Sequence, residues 1–105
     1  LEEKVENLLN KEIYPVLKRF PKAEKYSLCQ EMKQAFYGLL KCIMLANNIK
    51  KKRRMYQEEA DAYQKLILVL VSVACEQKYI TKKKKYHLQT YLHEIGRMLG
   101  GWMKS

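Results

Sequence analysis

Nine cations fall in two short segments of this chain: Lys18, Arg19, Lys22 and Lys25 in one, Lys78, Lys82, Lys83, Lys84 and Lys85 in the other. A third run, Lys50, Lys51, Lys52, Arg53 and Arg54, lies between them. Clustered ammonium and guanidinium groups bind phosphates, largely without regard to base sequence. The whole composition points the same way, with 21 Lys and Arg against 11 Asp and Glu, a formal net charge of +10. Such an excess calls for a polyanion, RNA or DNA. A membrane face is the weaker reading, because the cations gather at helix ends and not along one amphipathic side. Lys82–Lys85 is the more informative run. It falls in the first turn of an expected helix, where the macrodipole is already positive and each cation costs about 0.3–1 kcal/mol. A solvated run that aids solubility is the plainer reading. Tyr26, Tyr56, Tyr79 and Tyr86 lie near the runs and could stack on bases, although half-buried tyrosines are common in helical bundles.

Catalytic chemistry has no counterpart in the chain. His87 and His93 are six apart, on different faces of a helix, and make a poor metal pair. Glu58 and Glu59 read as surface charge, and Glu94 beside His93 is a sequence neighbour, not a facing partner. There is no Glu-x-x-His motif, no glycine-rich phosphate loop, no GxSxG and no CxxC pair. The three cysteines, Cys29, Cys42 and Cys75, sit singly inside apolar helical patterns. They read as small core hydrophobes of a cytoplasmic protein in a reducing compartment. The expectation is a protein that is not an enzyme, with no cofactor and no metal site.

The elements that carry the cations are all helical by pattern. The 105 residues suffice for one domain with one modest core. Leu66–Cys75, LILVLVSVAC, is the most apolar stretch, too short to cross a bilayer. Tyr56, Ala60, Tyr63, Ile67, Leu70 and Ala74 follow 4-3 spacing as one stripe, with Ala62, Leu66, Val69 and Val73 as a second beside it. A helix that buries both stripes has too much girth for one small bundle, so a neighbour beyond its own chain is expected. Helices are predicted at about 2–20, 24–47, 54–79 and 82–103. Pro15 is expected to kink the first near residues 11–15. Ser27 with Gln30 offers a capping box, and Thr81 an N-cap. The inward positions are Val5, Leu8, Ile13, Val16, Leu17 and Phe20 in the first helix. Leu28, Met32, Ala35, Leu39, Cys42 and Ala46 line the second, and Leu88, Leu92, Ile95, Leu99 and Trp102 the fourth. Short connections make this all-α chain an antiparallel up-down-up-down four-helix bundle, with the linkers at 20–25 and 78–85 at one end.

The last segment, Glu94–Ser105, reads EIGRMLGGWMKS. Gly96 and Gly100 share a face and could admit another helix closely. Alternatively, Gly100 and Gly101 end the helix and Trp102 folds back on the core. The segment resembles the C-terminus of the Avd (accessory variability determinant) proteins of diversity-generating retroelements, and YPVLKRFPKAEKYSLCQEM, residues 14–32, is similar to their first linker and second helix. The resemblance covers nearly the whole chain, and part of it is shared with the four-helix-bundle proteins of 23S rRNA intervening sequences. It implies a noncatalytic accessory protein, assembled as a homopentamer, that binds the element's reverse transcriptase and its RNA, and DNA nonspecifically, in support of mutagenic cDNA synthesis in retrohoming. It assigns Gly96, Arg97, Gly100 and Trp102 to structure or assembly, beside the stripe of Leu66, Val69 and Val73; Arg97 could instead meet a phosphate or an acidic neighbour. The alternative is a structural protein-interaction module of the intervening-sequence type, with no reverse transcriptase partner.

Overall fold

The computed structural model describes residues 1–105 as helices joined by short connections, with no strand. The first helical run, α1, occupies residues 2–17 and has three parts: α-helical Glu2–Leu8, a π-helical turn Leu9–Ile13, and α-helical Tyr14–Leu17. The π turn ends two residues before Pro15, whose missing N–H cannot bond back into the preceding turn. The extra residue in the turn brings Leu9 to the core beside Leu8, and Ile13 and Leu17 follow on the same side. Val16, expected inward, is only half-buried.

The second helix, α2 (Leu28–Asn48), starts later than its apolar spacing suggests. Residues 22–24 make a separate 3-10 turn. The expected Ser27–Gln30 capping box does not form. Ser27 Oγ donates instead to Glu24, and Glu24 Oε1 also accepts the Leu28 N–H at 3.4 Å. A carboxylate four residues upstream thus takes the capping role. Met32, Ala35, Phe36, Leu39, Cys42, Ile43 and Ala46 form its buried face.

The third helix, α3 (Arg53–Glu76), follows a 3-10 turn at Lys50–Lys52. Its buried face is Gln57, Ala60, Gln64, Ile67, Val71 and Ala74. The expected stripe is therefore displaced by one residue at three places: Gln57, Gln64 and Val71 face the core, while Tyr56, Tyr63 and Leu70 lie half-buried at its edge. The glutamines are tolerated because their amides have partners. Gln64 Nε2 donates to the Leu92 carbonyl at 2.8 Å, and Gln57 Nε2 to that of Trp102 at 3.5 Å. The second stripe, Ala62, Leu66, Val69 and Val73, is exposed along its whole length. Within one chain α3 buries a single seam, and the expected girth lies outside this core. The helix ends at Glu76 by a left-handed turn in which Lys78 (φ 65°) stands where glycine is usual. Tyr79 N–H bonds the Ala74 carbonyl across it at 2.9 Å.

The fourth helix, α4 (Lys82–Lys104), starts as expected: Thr81 Oγ1 accepts the Lys84 N–H at 3.0 Å. Leu88, Leu92, Ile95 and Leu99 are buried, and Trp102 half-buried. The helix runs through Gly100 and Gly101 to Lys104, so these glycines do not end it. Two other glycines make close approaches inside the chain. A Cβ at Gly38 would lie 2.5 Å from the Tyr63 ring, and one at Gly96 would lie 2.9 Å from Gln64 Nε2. Gly96 therefore serves the α3–α4 seam of its own subunit. Gly100 faces open space, with no atom within 4 Å of a Cβ placed there.

Candidate nucleic-acid interface

The two segments that together hold nine cations meet. Tyr79, just past α3, donates its hydroxyl to Glu24 Oε2 at 2.7 Å, and its ring lies 5.2 Å from that of Phe20. Glu24 thus joins three groups: the Tyr79 hydroxyl, the Ser27 hydroxyl and the first N–H of α2. Tyr79 is committed to this joint and is not free to stack on a base. Tyr26 and Tyr86 stay exposed, Tyr26 under the Lys25 ammonium at 5.4 Å. Tyr56 lines a groove between α2 and α3 instead.

The joint has a definite pH window. The three hydrogen bonds, Ser27 first and then Tyr79, hold the Glu24 carboxyl below its ordinary value, and the bond to Glu24 raises the Tyr79 phenol above its own. A depressed carboxyl stabilises the fold fully above its unfolded value and loses that contribution as pH falls through the folded value. A raised phenol contributes below its unfolded value and loses it as pH rises through the folded one. Glu24→Gln, which mimics the protonated acid, is expected to melt below the parent at neutral pH, with the gap closing in acid. A gap that does not change with pH removes the charge of Glu24 from the joint.

Around the joint lie two basic clefts. One, of about 680 Å³, is lined by Arg19, Lys78, Lys82 and Lys84, with Val16 and Ile80 as apolar walls and Glu76 as its one acid. The other, of about 260 Å³, lies between α1 and the start of α2 and holds Lys18, Lys22, Lys25 and Lys33 with no acid. Lys33, 5.3 Å over the Tyr14 ring, was not legible as part of the basic end; it stands alone in sequence inside an otherwise ordinary helix. Lys18, Arg19, Lys22, Lys25, Lys78, Lys82 and Lys83 are exposed, and Lys85 is half-buried. None of these eight makes an ion pair. Lys84 does: its Nζ lies 2.7 Å from Glu12 Oε1 on the π turn of α1, and His87 Nε2 lies 3.4 Å from the same oxygen. The Lys84 bond, ahead of His87, holds the Glu12 carboxyl below its ordinary value.

The third run divides. Arg53 Nε donates to the Ala46 carbonyl at 3.1 Å, and Arg54 to the Met103 carbonyl at 3.0 Å. These are last-turn carbonyls of α2 and α4, the negative ends of those helices. Cations that cost stability at the start of their own helix thus regain it at the ends of two others. Lys50, Lys51 and Lys52 remain exposed.

Of the residues read as assembly positions, Leu66 and Val73 are each 40% exposed and Val69 58%. Arg97 is exposed and makes no ion pair. Trp102 borders a crevice with Leu1, Ile43 and Met98. Three or more His, Cys, Asp or Glu side chains never gather as a metal-binding set, the three cysteines are free thiols, and no helix is long and apolar enough to cross a membrane.

No curated protein and no solved structure matches the chain. A family model does: the one described as bAvd-like matches residues 1–105. The match takes in the basic end, the exposed flank of α3 and the glycine–tryptophan ending alike, and the chain belongs to the bAvd-like family.

Proposed function

We propose that this chain is a noncatalytic accessory protein of a diversity-generating retroelement, which binds the element's reverse transcriptase and its RNA, and DNA nonspecifically, to support mutagenic cDNA synthesis. The observation that carries the reading is the joined basic end, where eight of the nine cations of the two segments have no carboxylate partner and lie around two clefts. Phosphates are the ligands such a surface fits, and exposed Tyr26 and Tyr86 offer stacking faces beside it. The up-down-up-down order belongs to this proposal. Its support is the pairing of Gln57 with Trp102 and Gln64 with Leu92 between α3 and α4, and of Arg53 with Ala46 between α2 and α3. An axis kink in α1 at Pro15 is likewise proposed, with the adjoining π turn as its support. The exposed stripe Leu66, Val69 and Val73 supports assembly with further copies, five by the family resemblance, and the free thiols suit a cytoplasmic setting.

Salt titration of single-stranded RNA binding tests the reading. The logarithm of affinity is expected to fall linearly with the logarithm of salt, at about 0.7 per phosphate contact. A slope of several contacts supports nucleic-acid binding. A slope near zero assigns the basic end to an acidic protein partner and overturns the RNA part of the proposal.

A further inference from the structure

We propose that Glu12 is a built-in competitor for the polyanion: its carboxylate occupies, in the free subunit, a phosphate position formed by Lys84 and His87. The inference rests on the reading of the basic end as a phosphate-binding surface and goes beyond it by naming one position and its internal occupant. Three observations carry it. Lys84 is the one lysine of the four-lysine run that has a carboxylate partner, at 2.7 Å, although Lys82 and Lys83 beside it stand free in solvent. Glu12 Oε1 accepts a hydrogen bond from Lys84 Nζ and has His87 Nε2, one turn further along α4, at 3.4 Å. An oxyanion in the place of the carboxylate would meet the same ammonium, with the imidazole beside it. Lys84 also lines the larger basic cleft with Arg19, Lys78 and Lys82, so an anion lying in that cleft reaches the lysine Glu12 holds.

Glu12 itself belongs to the π-helical turn, between Lys11 and Ile13. Such turns carry one extra residue and are frequent at functional positions. The Glu12 and Lys84 side chains are 23% and 33% exposed, so the pair is neither sealed in the core nor lost to bulk water. A phosphate can displace the carboxylate without unpacking a helix. The competitor lowers affinity for stray anions and yields to a ligand that engages the other lysines together.

The test is a double-mutant cycle read by salt titration, with a short single-stranded RNA of mixed sequence as the probe. Glu12→Gln is expected to raise affinity about threefold, the size of a partly exposed ion pair. It is also expected to steepen the log–log salt slope by about 0.7, one further phosphate contact. Lys84→Gln in the parent is expected to leave the slope nearly unchanged, because Glu12 already holds that lysine. Lys84→Gln added to Glu12→Gln is expected to remove the gain. Glu31→Gln, which deletes the same charge from an exposed residue of α2 without an ion pair, controls for net charge and is expected to leave the slope as it was. Circular-dichroism melts of each variant separate a binding effect from a loosened α1. Parent binding with the same slope in Glu12→Gln overturns the competitor alone. So does a slope lowered by about 0.7 in the single Lys84→Gln variant, which would mean that Lys84 meets the phosphate without hindrance. No RNA binding by the parent overturns the function on which it rests.

Discussion

Val69→Asp is expected to convert the protein from an oligomer to single subunits while leaving each subunit folded. Val69 is 58% exposed and lies between Leu66 and Val73 on a stripe that no other part of the chain covers. Within one subunit the new carboxylate meets water, and exposed substitutions of this kind change stability by less than about 0.5 kcal/mol. In an interface built on the stripe, the same carboxylate would be buried against apolar groups at a cost of several kcal/mol for each contact between copies. The two environments separate the outcomes cleanly. Light scattering should report the mass of an assembly for the parent and of one chain for the variant, with the same helical circular dichroism and a similar melt. A parent that is itself a single chain at micromolar concentration removes the assembly proposal. A variant that keeps the parent's mass moves the interface off this face of α3.

Reversing Lys82, Lys83 and Lys85 to Glu together should reduce RNA affinity by roughly 100-fold, at about 1 kcal/mol for each cation–phosphate contact. The salt slope should fall by about two. Lys84 is left in place because Glu at that position would face Glu12 and strain the α1–α4 contact for a reason unrelated to RNA. The other three have no ion pair to lose. Carboxylates in a first helical turn are favoured by the macrodipole, by about 0.3–1 kcal/mol each. The variant should therefore melt no lower than the parent, and the Thr81 cap, made to a backbone N–H, is untouched. Thus a loss of binding cannot be blamed on unfolding. Unchanged affinity and slope would remove Lys82, Lys83 and Lys85 from the interface and leave the other cations, among them Lys18, Arg19, Lys22, Lys25, Lys33 and Lys78, to account for any binding.

The reading of Arg53 and Arg54 changes most between sequence and structure. In sequence they extend a lysine run and look like part of a phosphate surface. In three dimensions both guanidinium groups are bonded to the terminal carbonyls of α2 and α4. A linear chain lists charge by position along one helix, whereas the dipole that a side chain meets comes from whichever helix end lies beside it. The same distinction explains Lys84, an equal member of its run by sequence and a paired one by structure.

What the sequence determined by itself is the number of helices, the faces of α2 and α4, the Thr81 start and the basic character of the 20–25 and 78–85 segments. These follow from periodicity, capping chemistry and charge, which are local properties. What only the tertiary structure decided is which side of α3 faces inward and which cations are free. Tyrosine outranks glutamine as a buried residue in sequence, yet Gln57 and Gln64 occupy the seam because carbonyls of α4 accept their amides, and Tyr63 packs at the edge because Gly38 leaves room for its ring. Glu24, a local cap through Ser27 and Leu28, becomes a joint only because Tyr79, 55 residues away, lies against it. Partners of that kind are supplied by a neighbouring helix, and no window along a single helix contains them.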